Sequence, residues 1–274
     1  MTKTMGAVGA ALILLAAGAA LAEAPKAGDA TRPAEHSATA PKGYLDPARR
    51  PDVAALIAPP PEPGDATWIE DGVTFKKTRA LVDTPRWKQA LYDNSYKPDD
   101  MLKGFACAVG ADLSASKTPH TARLVGRAVL DAVDASGAAK QVYRRQRPFV
   151  PTDEPICIAR EDSLKASFSY PSGHATGGWL YGLLLAELAP DRAAPIMSRG
   201  RAYGESRVVC GVHWKTDVEA GRDAATAAFV VLQSDPGFRA DLEAARAEIA
   251  AARRAGPPQA DCAAAAALDR TPLN

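Results

Sequence analysis

The sequence predicts an all-α fold: a single helical domain packed on a central buried helix pair, preceded by an extended, proline-rich N-terminal segment. Three observations carry that expectation. The alternating apolar and polar runs that half-buried strands require are nearly absent. Apolar residues recur instead at helical spacing, as in Leu124, Val125, Val129, Leu130 and Val133. Thr-Pro pairs, which cap a helix and then place proline at its first position, occur at Thr84-Pro85 and Thr118-Pro119. At 274 residues the chain has room for one domain or two, with one favoured.

Met1–Ala22 reads as a signal peptide. Lys3 supplies the positive start, Met5–Leu21 is an uncharged apolar run, and Ala20-Leu21-Ala22 is a small-x-small cleavage site. A cut after Ala24 fits the same rule but leaves Pro25 next to the scissile bond, so cleavage is placed near Ala22. The apolar run is short for an uncleaved anchor, which needs about 20 residues. Residues 23–64, with Pro59-Pro60-Pro61, form a proline-rich leader, extended or disordered, that wraps a core rather than building one. The helical domain follows over residues 65–255, and residues 256–274 form a C-terminal tail.

Within the domain, Asp65 caps a helix through Trp68 and Ile69, and Thr84-Pro85 opens one over Trp87–Leu91. The helix after Thr118-Pro119 stops at Gly137, and another runs from about Ala138 to Gln146, ahead of Pro148. Gly177–Leu188 is apolar nearly all round and reads as buried. Val218–Gln233 reads as a second apolar helix, and Ala240–Ala255 as an exposed, charged one.

Lys+Arg is 33 against Asp+Glu 32. That balance provides no field for nucleic acid or an anionic membrane, so no nucleic-acid binding is expected and any anion site must be local. No segment after the signal reads as a membrane span: Gly177–Leu188 is too short and contains Glu187. Export, periplasmic or secreted, brings an oxidising compartment in which Cys107, Cys157, Cys210 and Cys262 can pair in any of three ways. Small buried apolar positions are the bland reading for Cys107 and Cys210. No zinc-type ligand set is visible, so neither metal nor cofactor is expected.

Three blocks carry chemistry. In the first, Lys140 and Arg147 stand seven apart before Pro148, two helical turns on one face, and two cations so placed repel unless an anion lies between them. A solvated basic face is the bland reading, since Arg144 and Arg145 are beside them. In the second, Tyr170-Pro171-Ser172-Gly173-His174 opens the buried helix. Ser172 would cap it, its free N–H groups would face an anion, Gly173 would let the backbone approach, and His174 could carry a proton. An ordinary N-cap is the alternative.

In the third block, Ser206-Arg207 precedes His213, and Asp217 follows four residues later. A carboxylate on one imidazole nitrogen fixes the tautomer and leaves the other free as a nucleophile, while Arg207 adds a cation. A structural His–Asp pair is the alternative. His36 and His120 read as incidental. Together the blocks gather three cations, a helix N-terminus, two histidines and a carboxylate, which is what phosphoryl transfer through a covalent histidine requires without a metal.

These blocks resemble the signature of the phosphatidic acid phosphatase type 2 superfamily, Lys-x6-Arg-Pro, Pro-Ser-Gly-His and Ser-Arg-x5-His-x3-Asp, in full. Their surroundings resemble the bacterial class A non-specific acid phosphatases at Ala58-Pro59-Pro60-Pro61, Arg86-Trp87-Lys88-Gln89-Ala90, Tyr143–Phe149, Ser206–Trp214 and Asp235–Phe238, across roughly residues 50–250. Two positions depart from that family: Phe168 stands where a glycine is usual, and Ala175 where a threonine is. The resemblance implies a metal-independent acid phosphatase acting on diverse small phosphomonoesters, and a homo-oligomer.

In this reading Lys140, Arg147, Arg207, the Ser172 hydroxyl and the Gly173 N–H hold the phosphate. His213 is the nucleophile, Asp217 orients it, and His174 protonates the leaving alcohol and then activates water. His174 begins protonated and His213 neutral, which gives an acid-side optimum. Four other functions would use the same blocks: a membrane lipid phosphatase, a phosphotransferase, a vanadate-dependent haloperoxidase and an exported phosphate-binding protein.

Overall fold

The computed structural model describes residues 42–271 and Leu273. The expected signal peptide and the first part of the leader lie outside the described residues. Among those residues there are eleven α-helices and no strand: α1 (Val53–Leu56), α2 (Ala66–Thr78), α3 (Pro85–Tyr92), α4 (Pro98–Val109), α5 (Pro119–Tyr143), α6 (Asp162–Ala166), α7 (Gly173–Leu188), α8 (Ala193–Val209), α9 (Lys215–Leu232), α10 (Pro236–Ala255) and α11 (Cys262–Arg270). None is long and apolar enough to cross a membrane.

The apolar α7 lies at the centre, against α8, α9 and α5. Leu180, Tyr181, Leu184 and Leu185 on it are fully buried. Each of the three leucines contributes about 1.5–3 kcal/mol by leaving water. Leu102 and Phe105 of α4, Leu124 and Val125 of α5, and Phe238 of α10 complete the same core. Small residues set how closely the helices approach. A side-chain carbon at Gly221 of α9 would stand 2.6 Å from the Ser172 carbonyl oxygen, so glycine there lets α9 lie directly on the start of α7.

Several elements differ from expectation. Gly137 does not stop a helix: α5 runs unbroken from Pro119 to Tyr143. It ends because Arg144 turns into the left-handed region at φ 49°, its N–H bonded to the Lys140 carbonyl. Arg147 therefore sits in the loop beyond the helix, not two turns along one helical face from Lys140. The residue before a proline is disfavoured in a helix, which is consistent with this early stop.

The charged α10 is not simply exposed, since Phe238, Leu242, Ala245 and Ile249 form a buried stripe at helical spacing. Helices α4 and α8, which were not anticipated, both contribute to the core. Thr84 caps α3 as expected, accepting from the Trp87 N–H at 3.3 Å. The Asp65 carboxylate instead accepts from the Glu62 N–H.

The described part of the leader is firmly attached. The Tyr44 and Leu45 N–H groups donate to Asp131 at 2.6 and 3.1 Å, and Arg50 pairs with the same carboxylate at 3.2 Å. Val53 and Ile57 pack on Ala135, Ala139 and Tyr170. Two disulfides resolve the open pairing as Cys107–Cys262 and Cys157–Cys210. The first ties α11, within the expected tail, to α4. The second ties the loop before α6 to the end of α8, three residues ahead of His213.

Candidate active site

The site forms where the N-termini of α7 and α9 meet. Ser172 is the N-cap of α7, its hydroxyl accepting from the Ala175 N–H at 3.3 Å. The Ser172 N–H in turn donates to the Asp217 carbonyl at 2.8 Å, which joins the two helix starts. Asp217 closes the first turn of α9 by accepting from the Trp214 N–H at 2.9 Å. The first turns of α7 and α9 thus lie together, and the positive ends of two helix dipoles favour an anion beside them.

His213 immediately precedes that cap. Its Nδ1 is 3.2 Å from Asp217 Oδ2, and Arg147 Nη1 lies 2.9 Å from its Nε2. A guanidinium has only donors, so Nε2 accepts, the ring proton sits on Nδ1, and Nδ1 donates to Asp217. This tautomer is assigned from the partners. It leaves the lone pair of Nε2 pointing at a cation.

The other cations converge there. Lys140 Nζ donates to the Phe168 and Ser169 carbonyls at 3.0 and 2.8 Å, and Arg147 Nε donates to the Ser167 carbonyl at 3.1 Å. Both thus hold the 167–169 turn, although only Lys140 is on α5. Arg207, from α8, donates to Asn94 Oδ1 at 2.9 Å, and its Nε is buried without a hydrogen-bond partner.

His174, close enough to act on His213 electrostatically, has its Nε2 donating to the Asn94 carbonyl at 3.2 Å and its ring 4.0 Å from that of Tyr96. Ser172, Asp217, Arg207, His213 and Arg147 are 0, 0, 2, 3 and 7% exposed. Such burial of charge is tolerable only with partners. Every site residue singled out in the sequence thus lies at this one place.

The electrostatics follow from that crowding. Burial pushes His213 well below the ordinary imidazole range, and Arg147, Lys140, Arg207 and His174 add to it. Burial does the same to His174, with Arg207, Arg147 and Lys140 behind it and the Asn94 carbonyl opposing. That direction runs against the proton expected on His174 at the outset. Burial lowers Lys140, and Arg147 lowers it further. Burial raises Asp217, against Arg145, the Trp214 N–H and Lys140. An anion placed among these cations would offset their mutual repulsion.

Some residues of the site were not foreseen. Arg145 read as part of a solvated face, yet its Nη1 donates to Asp217 Oδ1 at 2.8 Å and its Nη2 to Asp71 of α2 at 2.7 Å. Asn94 holds His174 through its backbone and Arg207 through its side chain. Neither Asn94 nor Asp71 belongs to a spaced motif, so nothing in the sequence marked them. Ser206 works one layer back, donating to Asp93 at 2.6 Å and accepting from Arg86.

The two departures also find places. The Phe168 carbonyl serves Lys140, and Ala175 is buried against Val208 and Val218. His120 lies elsewhere, its backbone N–H on Glu248. Among the described residues, no group of three or more His, Cys, Asp or Glu is arranged to hold a metal ion.

Comparison with known proteins returns a family model described as PAP2 superfamily, matching residues 122–239. That span covers all three blocks. An acid phosphatase of Zymomonas mobilis subsp. mobilis is 44% identical over 203 residues, 74% of this chain and 77% of that protein. A non-specific acid phosphatase of Providencia stuartii is 36% identical, over 76% of this chain and 84% of its own length. One of Salmonella typhimurium is 36% identical, over 70% and 78%.

Proposed function

The chain belongs to the PAP2 superfamily and, within it, to the acid phosphatases, and from that premise we propose that it hydrolyses phosphate monoesters through a phosphohistidine on His213, with no metal ion in the reaction. The observation that carries this reading is the pair of contacts on one imidazole: Asp217 on Nδ1 and Arg147 on Nε2.

Substrate phosphate enters among Lys140, Arg147 and Arg207 and takes the Ser172 hydroxyl and the Gly173 N–H as further partners. These cations and the helix N-terminus supply the positive charge that a metal supplies in other phosphatases. As Arg147 turns to the phosphate, Nε2 of His213 is released. It attacks phosphorus in line, forming an N–P bond as the P–O bond to the alcohol breaks. Asp217 balances the positive imidazole. His174 delivers a proton to the leaving oxygen, then removes one from the water that cleaves the N–P bond and releases inorganic phosphate.

Breadth of substrate follows from a recognition set that touches only phosphate, and the relatives named non-specific acid phosphatases agree with it. Cleavage of the signal near Ala22 would place the enzyme in the periplasm or outside the cell. The two disulfides support an oxidising destination.

The decisive experiment is rapid quench with a radiolabelled phosphomonoester. Wild-type protein should carry acid-labile label on His213. His213→Ala should carry none and lose about 10⁴-fold or more in kcat, on the scale of removing a nucleophile. Label on another residue, or near wild-type turnover in the variant, would overturn the assignment. Full activity in chelator is expected; a loss restored by zinc or magnesium would remove the metal-free part of the proposal.

A further inference from the structure

Asp217 is wholly buried, and burial alone would drive its carboxyl to hold a proton. A protonated Asp217 would no longer balance the positive imidazole of a phosphohistidine. The groups facing it come from several elements. His213 and the Trp214 N–H share Oδ2. Lys140 approaches from the end of α5, Arg147 from the loop beyond it and Tyr170 from the turn before α7, and Arg145 approaches from the loop after α5 and donates to Oδ1 at 2.8 Å. Among these, Arg145 is the foremost charge acting against burial.

Arg145 is itself locked. Its Nη1 also donates to Thr216 Oγ1 at 2.7 Å, and its Nη2 to Asp71 Oδ2 at 2.7 Å. Asp71 is 2% exposed and accepts from the Thr216 N–H and hydroxyl at 3.0 and 2.5 Å. The guanidinium lies 5.2 Å from the Trp214 ring. A fork held at so many points has lost its rotamer freedom in advance.

We infer that Arg145 is a positioning residue that keeps Asp217 ionised and aimed at His213, with Asp71 anchoring Arg145 from α2. The chain Asp71–Arg145–Asp217–His213 thereby links a surface-side helix to the nucleophile. This inference rests on His213 being the nucleophile. It adds that the acid limit of catalysis is set by a residue that never touches substrate.

The test compares the pH dependence of kcat in wild type, Arg145→Gln and Arg145→Lys. With Gln the acid limb should move up by about one to two pH units, so that kcat near the acid optimum drops about 10–100-fold and recovers as pH rises. Lys should restore most of it. Inhibition by inorganic phosphate should change less than about threefold, because Lys140, Arg147 and Arg207 remain.

If Arg145→Gln does not fold, Arg145→Gln with Asp71→Asn leaves no buried carboxylate orphaned at Asp71 and carries the same readout. An acid limb that stays in place, or a loss uniform across pH, overturns the inference. Rapid-quench labelling of wild type separates the two failures. Absence of label on His213 sinks the nucleophile assignment, whereas label present with an unmoved limb sinks the role of Arg145 alone.

Discussion

His174 combines two demands that pull against each other. In the proposed mechanism it gives a proton to the leaving alcohol, yet burial and then Arg207 and its neighbours hold it well below the usual imidazole range. The sign is that of a depressed base: the buried ring gives up its proton more readily than an ordinary imidazole. In this mechanism the proton arrives with the substrate, as the monoanion that predominates below the second phosphate pKa of about 6. Once phosphate sits among the cations, their repulsion of a charged ring is offset and the proton passes to His174. The expected kcat/KM falls about tenfold per unit above about pH 6, with a midpoint that follows the second pKa of each substrate, and is bounded on the acid side by protonation of Asp217. Profiles of two esters whose phosphates ionise about one unit apart will check this, and a midpoint indifferent to substrate would contradict it. His174→Ala should cost alkyl phosphates about tenfold more than aryl phosphates, whose leaving groups need no proton. The His213–Asp217 contact was legible because it depends on a four-residue spacing, and the place of His174 because Ser172 caps the apolar α7 that it opens. Asn94 and Asp71 were not, because each reaches the site through tertiary packing of α3 and α2 and belongs to no spaced pattern.

At the level of elements, the site is the junction of α7 and α9, and that junction depends on missing side chains. Gly221 faces the Ser172 carbonyl, with Ala175 Cβ 2.9 Å and Thr176 N 3.2 Å from where its own Cβ would be. Backbone cannot yield there as a flexible side chain would. Gly221→Ala should push α9 from the start of α7, destabilise the protein by about 1–3 kcal/mol as overpacking does, and lower kcat by up to about 100-fold through misplacement of His213 and Asp217. Calorimetry and kinetics on the same sample decide it: an unchanged Tm with unchanged kcat would show that the junction tolerates a methyl group. Ala175 lies at the same contact, and a side-chain carbon at Gly204 would come within 3.2 Å of its Cβ. A small residue suits this place. The all-α class and α7 itself were readable because periodicity and apolar content act locally. The unbroken α5 was not, because Gly137 meets no neighbour within 4 Å on its open side and costs the helix only about 1 kcal/mol, which tertiary packing overrides. Helix α8 escaped notice because it is buried around Arg199, Glu205 and Arg207 as well as apolar residues, so no clean apolar stripe marks it.

Over the whole molecule, two disulfides divide the work of stability and function. Cys107–Cys262 spans 155 residues of sequence and Cys157–Cys210 spans 53. In the loop-entropy account the longer closure is worth about 1 kcal/mol more, within a typical total of about 2–4 kcal/mol each. Their surroundings differ more than their lengths. The first fastens α11, which is also held where Gln89 donates to Asp269 at 2.8 Å and Ser198 to the Asp269 carbonyl at 3.1 Å, and none of these contacts is to Lys140, Arg147, His174, His213 or Asp217. The second is flanked by a Cys157 N–H bond to the Cys210 carbonyl at 3.0 Å, and the Val212 carbonyl two residues on accepts from Arg147 at 2.8 Å. Replacing Cys107 and Cys262 by Ala should therefore lower Tm by about 5–15 °C and leave kcat at 25 °C within about twofold. Replacing Cys157 and Cys210 should lower Tm by a similar or smaller amount but reduce kcat about tenfold or more, because the segment carrying His213 and the carbonyl under Arg147 loses its tether. Thermal unfolding and steady-state kinetics on the two double variants give four numbers. Equal effects on kcat would mean that the second disulfide does not position the nucleophile.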